Sequence, residues 1–426
     1  MVNKIPNILY TTKNNLCTMC GVCEDACPSS AIKINVDNGV FCPYIDDNKC
    51  NNDKGCHRCY DVCPGVGVNL LEFANKQFSN DNIKKHRYIG RYVECYTGYS
   101  NDNELRYHAA SGGLLSQFIV WLLETKKIDG AVVTKFDKEN ELLVKSFVAT
   151  TREEVFQAKS SKYSPVTFNN VIKEIKNRTG KYVIVGLPCH IHGFRKYAEK
   201  DKSFSDKIFG YFGLYCSGTR NFYLTEYVLK ERKLDRDKIS YLAYRDEGNL
   251  GGLVVEGIGS DKKPYHFYED YQSYCHPLRS IFTPRRCFLC IDHFAELADI
   301  SFGDIHTKPY SDDKIGINSV VVRNSMFNEL LHEAKQDGVI SLEKLPEKML
   351  LKSQPVSKLK KERTATYIKI DRLLGRKNPK YDCKLKDTKL FHSILSYMKN
   401  SFFMYIGLHK SLWRFIPYLK AKVNIR

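Results

Sequence analysis

The sequence predicts a chain in three parts: an α+β head, an α/β body and a basic helical tail. Three observations carry that prediction. Nine of the 16 cysteines fall within the first 75 residues. From about residue 88 to residue 345, short apolar runs alternate with amphipathic segments, the pattern of strands and helices in an α/β domain. From Lys352 to Arg426 there are 19 Lys and Arg against 4 Asp and Glu, a net +15, which leaves only +3 of the total +18 for the first 351 residues. The expected boundaries are therefore 1–75, 88–345 and 346–426.

The head opens with "CTMCGVCEDACP", residues 17–28. Cys17, Cys20, Cys23 and Cys27-Pro28 follow the C-x2-C-x2-C-x3-C-P spacing of bacterial ferredoxins, in which the fourth cysteine ligates the other cluster. A second run, "CNNDKGCHRCYDVCPG", supplies Cys56, Cys59 and Cys63-Pro64. The regular position three residues before Cys56 is Asp53, and Cys50 stands three further upstream. Cys50 is the favoured ligand because thiolate is the softer donor; Asp53 and Cys42 are the competitors. The head thus reads as a ferredoxin-like, two-cluster unit, with Cys17, Cys20, Cys23 and Cys63 around one 4Fe–4S cluster and Cys27, Cys50, Cys56 and Cys59 around the other. Paired structural zinc sites also use CxxC pairs, but they do not require this run twice.

The body should contain strands at Ala131–Thr134, Tyr182–Val185 and Ile208–Leu214, and a helix over Leu114–Lys127. Cys189 in "VIVGLPCHIHG" and Cys216 in "YCSG" each follow a strand-like run. Such cysteines meet at the carboxyl edge of a parallel sheet, where α/β proteins place their sites. "RRCFLCID" adds Cys287 and Cys290, and the four together suit a third 4Fe–4S cluster. Taken singly, each is equally a small buried residue, and the CxxC pair is also compatible with a redox dithiol or half a zinc site. Cys95, Cys275 and Cys383 have no evident partners.

The bulk features narrow the class. The start carries no basic segment followed by an apolar one, so no secretory signal is expected. No 18-residue uncharged apolar stretch occurs, so no spanning helix is expected. Sixteen cysteines without an export signal point to metal ligation in a reducing cytoplasm rather than to disulfides. No GxGxxG follows a strand, which argues against a Rossmann site. The basic tail matches no nucleic-acid module, and no nucleic acid is expected as partner.

The motifs quoted above, with "SGGLLSQFIVWLLE" (111–124), "SSKYSP" (160–165) and "ADISFGDIH" (298–306), occur in the order found in the coenzyme F420 hydrogenase/dehydrogenase beta-subunit family. The chain resembles members with an N-terminal ferredoxin domain, over about 300 residues and not beyond about residue 350. The resemblance implies an iron–sulfur flavoprotein that binds FAD and passes electron pairs to or from a hydride carrier. It implies that Cys189, Cys216, Cys287 and Cys290 ligate a cluster near the flavin. It also implies that Ser111, Gly112 and Gly113, with Ser161, Lys162 and Tyr163, border the flavin or substrate pocket. The residues suit such roles: Ser111 is placed to cap the helix from Leu114, bare glycines at a helix start accept a phosphate, and Lys162 offers charge to an anionic flavin. Arg245 is a further anion contact. His190, His192 and Asp304 are the candidates for proton transfer, each with an alternative structural role, in Asp304's case turn formation.

The function expected is a cytoplasmic oxidoreductase that exchanges electrons with a ferredoxin-like one-electron carrier and a small organic substrate. Direction, and use of the deazaflavin coenzyme itself, stay open. The alternative is a non-catalytic subunit that wires ferredoxin to a separate enzyme. In the tail, apolar residues at helical spacing over 390–419, with Lys399, Lys410, Arg414 and Trp413, suit an interfacial helix on the inner face of an anionic membrane. Packing on the body or on a partner protein is the competing expectation.

Overall fold

The computed structural model describes residues 6–79, 83–137, 142–259 and 261–423. In the head, a hairpin of β1 (Ile32–Asp37) and β2 (Val40–Ile45) lies beside the cysteine loops, and the first loop runs into the short helix α1 (Val22–Ala26). The body is built on nine strands: β3 (Glu94–Ser100), β4 (Gly130–Asp137), β5 (Leu143–Ala149), β6 (Val166–Thr167), β7 (Tyr182–Gly186), β8 (Ile208–Leu214) and, after an inserted sheet, three more. The insertion is an antiparallel sheet of β9 (Ile239–Asp246), β10 (Gly252–Ile258) and β11 (Pro264–Asp270). β12 (Ile300–Asp304), β13 (Asn318–Val322) and β14 (Ile340–Lys344) then complete the large sheet.

Its strand order is β14-β3-β13-β12-β8-β7-β4-β5-β6. The central four, β12, β8, β7 and β4, run parallel. Both ends of that core turn antiparallel, at β13 and at β5. The central strands read as continuous apolar runs because both faces are covered: every residue of β7 (YVIVG) is buried. One face packs on α2 (Leu114–Glu124), whose near-uniform apolarity matches its burial through Phe118, Trp121 and Leu122. The other face holds α4 (Pro188–Ala198), which follows β7 directly; the short helix α3 (Arg152–Gln157) lies earlier in the chain.

That second face also receives the head. Val22, Ala26 and Val62 join Ile184, Ile191 and Phe194 in one apolar core. Gly21 shows how close the approach is: it has φ +79°, and a Cβ there would lie 2.2 Å from Thr167 Oγ1. The short helix α5 (Arg285–Phe288) carries the first half of the CxxC pair.

The tail is helical, as its spacing predicts, but it is woven into the rest. α6 (Val356–Leu373) buries Lys360 and Thr364 against the body, and Lys380–Tyr381 pairs in parallel with Gly67–Val68 of the head. α7 (Leu390–Leu408) packs on α6 through Asn400, whose Nδ2 donates to the Tyr367 hydroxyl at 2.9 Å. The 390–419 apolar stretch is not one helix. It breaks after Leu408, and beyond the break Trp413 and Ile416 turn inward onto the inserted sheet's core. Trp413 is therefore core rather than interfacial, and Lys410 pairs with Glu226.

Candidate functional site

The first cysteine set is brought together by the two head loops. Cys17, Cys20, Cys23 and Cys63 line one small enclosed cavity with Ile8 and Pro64. Burial, and then the neighbouring thiols, push Cys17 and Cys23 well above the usual thiol range. Cys20 is pushed up to about 11 by burial first and Cys63 second. Thiols that resist ionisation, as those of Cys17, Cys20 and Cys23 do, need a cation among them before they become ligands.

The second set gathers around Cys59, which burial raises to about 11, with Cys27 and Cys56 close enough to add to the shift. Cys50 packs against the same small apolar group as Cys27 and Cys59. Cys42 faces the other way: it pairs with Asn35 in the hairpin and bears on Cys17 instead. Asp53 is exposed in a turn. Among the three competitors, the geometry favours Cys50.

Cys189 and Cys216 come together because β7 and β8 are adjacent and parallel. Cys189 sits in the first turn of α4, and Cys216 lies two residues beyond β8. α5 brings Cys287 to them, with Cys290 next. Burial and then Cys216, Cys287 and Cys290 raise the Cys189 thiol well above its usual range. The Gly218 amide donates to Cys216 Sγ at 3.3 Å. All three sets are looser than a single-ion site: among the described residues no three His, Cys, Asp or Glu converge tightly enough for one metal ion.

α4 is the wall shared by head and body. Gly193, one turn beyond Cys189, faces the first set, and a Cβ there would lie 3.5 Å from Cys20 Sγ. Lys196, farther along, donates to the Cys63 carbonyl at 3.0 Å. Arg286, beside Cys287, donates to the Pro64 carbonyl at 3.0 Å. Cys20 is near enough to bear on the Cys189 thiol.

The glycine and SKY segments also converge, through a pair the sequence flagged only weakly. Arg245 at the end of β9 is 3% exposed and donates to both Asp304 carboxylate oxygens, at 2.9 and 3.1 Å. It also donates to the Ala110 carbonyl, Ser111 Oγ donates to Asp304, and Ser160 Oγ donates to the Arg245 carbonyl. Burial alone would raise the Asp304 carboxyl; Arg245, His306 and the Ser111 hydrogen bond together outweigh it and hold the group below its usual range. Asp304 here anchors a loop junction. Ser111 does not cap α2: the N-cap is Gly113, at φ +72°, without a side-chain bond, because Ser111 is drawn away to Asp304. Gly112 has φ +103°, and a Cβ there would meet the Gly316 carbonyl at 2.6 Å. The helix also stops at Glu124, short of the expected Lys127.

Beside this junction lies a cleft of about 720 Å³, lined by Phe136, Arg152, Phe156, Ser161, Lys162 and Tyr241 among others, which is in the usual range for small-molecule sites. Lys162 Nζ donates to the carbonyls of Ala158 and Lys159, both at 2.6 Å, and Ser160 at 3.1 Å, while burial and then Lys159 push its pKa down to about 7. Tyr163 turns inward against Tyr244 and Tyr271. The cleft is tied to the third set: Thr219, three residues past Cys216, donates to the Ser164 carbonyl at 3.3 Å.

The two histidines are structural elements of α4. His190 Nδ1 accepts from the Leu187 amide at 3.2 Å, and burial, then His192, push it down to about 3. His192 Nε2 lies 2.9 Å from Asp292 Oδ2, both buried. Neither borders the cleft.

An α/β body with a dicluster-type cysteine head defines an iron–sulfur protein of the electron-transferring oxidoreductases, and comparison with known proteins gives the family. The profile of the coenzyme F420 hydrogenase/dehydrogenase beta subunit matches in its N-terminal part over residues 95–173 and in its C-terminal part over 179–348. A 4Fe-4S dicluster domain matches over 16–96. The chain belongs to the coenzyme F420 hydrogenase/dehydrogenase beta-subunit family. It is 26% identical over 274 residues to the coenzyme F420 hydrogenase subunit beta of Methanosarcina barkeri, covering 61% of this chain and 84% of that one. It is 23% identical over 363 residues to the coenzyme F420-dependent sulfite reductase of Methanocaldococcus jannaschii, covering 82% of this chain but half of that relative's length. A solved chain of the F420-reducing NiFe hydrogenase complex of Methanosarcina barkeri shares the fold, at TM-score 0.54 and 20% identity, over 70% of this chain and 98% of that one.

The choice among head ligands is open to direct measurement. Cys50→Ser is expected to lower the iron content of anaerobically purified protein by about four atoms, whereas Cys42→Ser leaves it unchanged. Equal iron in the two variants would reverse the assignment.

Proposed function

We propose that this chain is a flavin-containing electron relay, which exchanges electrons with a ferredoxin-like carrier at its head and a hydride with a small organic molecule at its cleft. One arrangement supports it above all: the Cys189–Cys216–Cys287–Cys290 set lies across α4 from the first head set, and the loop after Cys216 is tied through Thr219 to Ser164, two residues past the cleft's Lys162. When bound, iron–sulfur clusters would move single electrons and FAD would pair them for hydride chemistry. The protein's own contribution is placement. Gly193 and Gly21 allow head and body to touch, Arg245 and Asp304 lock the two loops at the cleft, and Lys162 offers a cation inside it. The relatives' names carry coenzyme F420, so a deazaflavin is the first hydride carrier to try. A subunit that merely wires ferredoxin to another enzyme has no need for the body cysteines or the cleft.

The tail adds an attachment to this reading, on the cytoplasmic face of a membrane. No helix among the described residues is long and apolar enough to cross one. α7, however, turns Phe391, Leu395, Met398, Phe402 and Tyr405 outward on one side, Phe391 being 69% exposed. Exposed Lys384, Lys386, Lys389 and Lys399 accompany them. An apolar stripe among cations suits an anionic bilayer surface.

Three measurements test these readings. Oxygen-free purification should yield about twelve irons and one FAD per chain; eight irons without flavin would leave only the wiring subunit. FAD affinity should fall as pH rises through 7, because Lys162 is protonated below and neutral above that value. A flat profile between pH 6 and 8.5, or an undiminished slope in Lys162→Met, would remove the lysine from flavin binding. On flotation with liposomes, the protein should rise with phosphatidylglycerol-containing vesicles and not with neutral ones, and Phe391→Ser/Phe402→Ser should stay at the bottom. Failure of wild type to float with either vesicle would remove the membrane from the scheme.

A further inference from the structure

Buried charge around the third cysteine set is lopsided. Arg220, Arg286 and Lys360 are 2%, 5% and 1% exposed, and Arg279 and Arg363 are half-buried beside them. Among the described residues, none of the five has a carboxylate within ion-pair distance. Arg220 donates instead to the Gly218 and Thr219 carbonyls and Thr283 Oγ1, and Arg286 to the Pro64 carbonyl. Nε of Arg220, of Arg286 and of Arg363 is buried without any hydrogen-bond partner. An unpaired buried cation costs several kcal/mol, so such groups are normally neutralised or paired. Asp292 is a nearby carboxylate, whose charge bears on Lys360 from beyond ion-pair distance; its Oδ2 is engaged by His192 and by the Glu296 amide, and its Oδ1 has no hydrogen-bond partner.

Two of these cations come from α6, which lies wholly beyond residues 179–348, the part shared with the family's C-terminal domain. Lys360 Nζ donates to the Cys216 carbonyl at 3.0 Å and to the Asp292 carbonyl. That fixes the ammonium against the backbone of one cysteine and two residues from another, Cys290. Arg363, three residues on along the same helix face, stands 5.9 Å over the Phe288 ring, between Cys287 and Cys290 in sequence. Charge and hydrogen bonding around an iron–sulfur cluster set its reduction potential.

We propose that α6 completes the third centre, with Lys360, seconded by Arg363, as the positioning charge that raises its reduction potential. A reduced cluster carries one more negative charge than an oxidised one, so a fixed cation nearby favours reduction. This rests on the reading of Cys189, Cys216, Cys287 and Cys290 as cluster ligands. The same cation shell would make that centre the natural sink for electrons arriving from the head across α4.

The test is an EPR-monitored redox titration of the anaerobic full-length protein, with iron counted in every sample. A wild type holding eight irons and two titrating centres would take away the third cluster itself, before any variant is read. With about twelve irons present, Lys360→Met should keep the iron and lower one midpoint by about tenfold in the one-electron equilibrium, or ~59 mV. Lys360→Arg should keep that midpoint near the wild-type value, and Lys358→Met, an exposed neighbour on α6, should leave all three unmoved. Unchanged midpoints in Lys360→Met, or equal shifts in the Met and Arg variants, would overturn the proposal. Should Lys360→Met fail to accumulate, Arg363→Met decides, since its guanidinium carries no buried hydrogen bond at Nε: a lowered midpoint supports the proposal and an unmoved one overturns it.

Discussion

The close seating of the cysteine-rich head on helix α4 is the constraint around which the rest is arranged. Two head sets alone would make a small electron carrier, and the body set alone would be a buried island. What joins them is one helix whose first turn carries Cys189 and whose next turn presents Gly193 to Cys20 and Pro64. A side chain at Gly193 would have to share space with Val22 Cγ2, 3.2 Å from the ideal Cβ position. The contact is not a flexible tether. Val22 and Val62 share a core with the large sheet, and the Phe168 amide donates to the Cys20 carbonyl at 3.0 Å. Head and body therefore hold a fixed separation, which an electron path requires and a hinged domain would not provide.

The Arg245–Asp304 pair plays the corresponding part at the other end. Arg245 is nearly inaccessible, and a guanidinium that deep is held where several acceptors surround it. It ties three loops that are distant in sequence, around residues 110, 160 and 250, to the end of β12. The glycine at 112 follows from the same packing, since only a bare backbone passes the Gly316 carbonyl. The glycine segment is thus held on a fixed path behind the loop whose Ser161 and Lys162 supply part of the cleft's polar lining.

What the sequence made legible was whatever its spacing or its strand ends encode locally. The head runs are compact, so their cysteines had to fall together. Cys189 and Cys216 were legible because adjacent parallel strands deliver their ends to one edge, and those strands were plain as buried apolar runs. The irregular Cys50 was less legible: its place beside Cys27 and Cys59 depends on how the segment after the hairpin folds. The capping role assigned to Ser111 failed because a nearer rule, a serine before a helix, was outbid by a carboxylate 193 positions away. The tail misled in a different way. Its periodicity was real, but periodicity tells which residues share a face and not which way that face turns. On α7 the face looks outward, while Trp413, beyond the break, looks in. Lys360 and Arg286 were invisible altogether, because a basic residue in a basic stretch carries no mark of burial.

Those unseen cations bear on how the chain reaches its folded state. The thiols of Cys189, Cys216 and Cys287 resist ionisation, Cys287 being raised to about 11 by burial and then by Cys216. The cations around them are buried and lack carboxylates. Each half is unfavourable for the same reason, loss of water without a compensating charge. An anionic, thiolate-ligated group in their midst would relieve both at once: the cysteines would release their protons, and the guanidinium and ammonium groups would gain a counter-charge. Folding around the third cysteine set would then be coupled to binding of such a group, in the sense known for structural metal sites. α6 belongs to that coupling, since its Lys360 is among the groups in need of the counter-charge. The tail that looked like an appendage in the charge count is, over its first helix, packed against the third cysteine set.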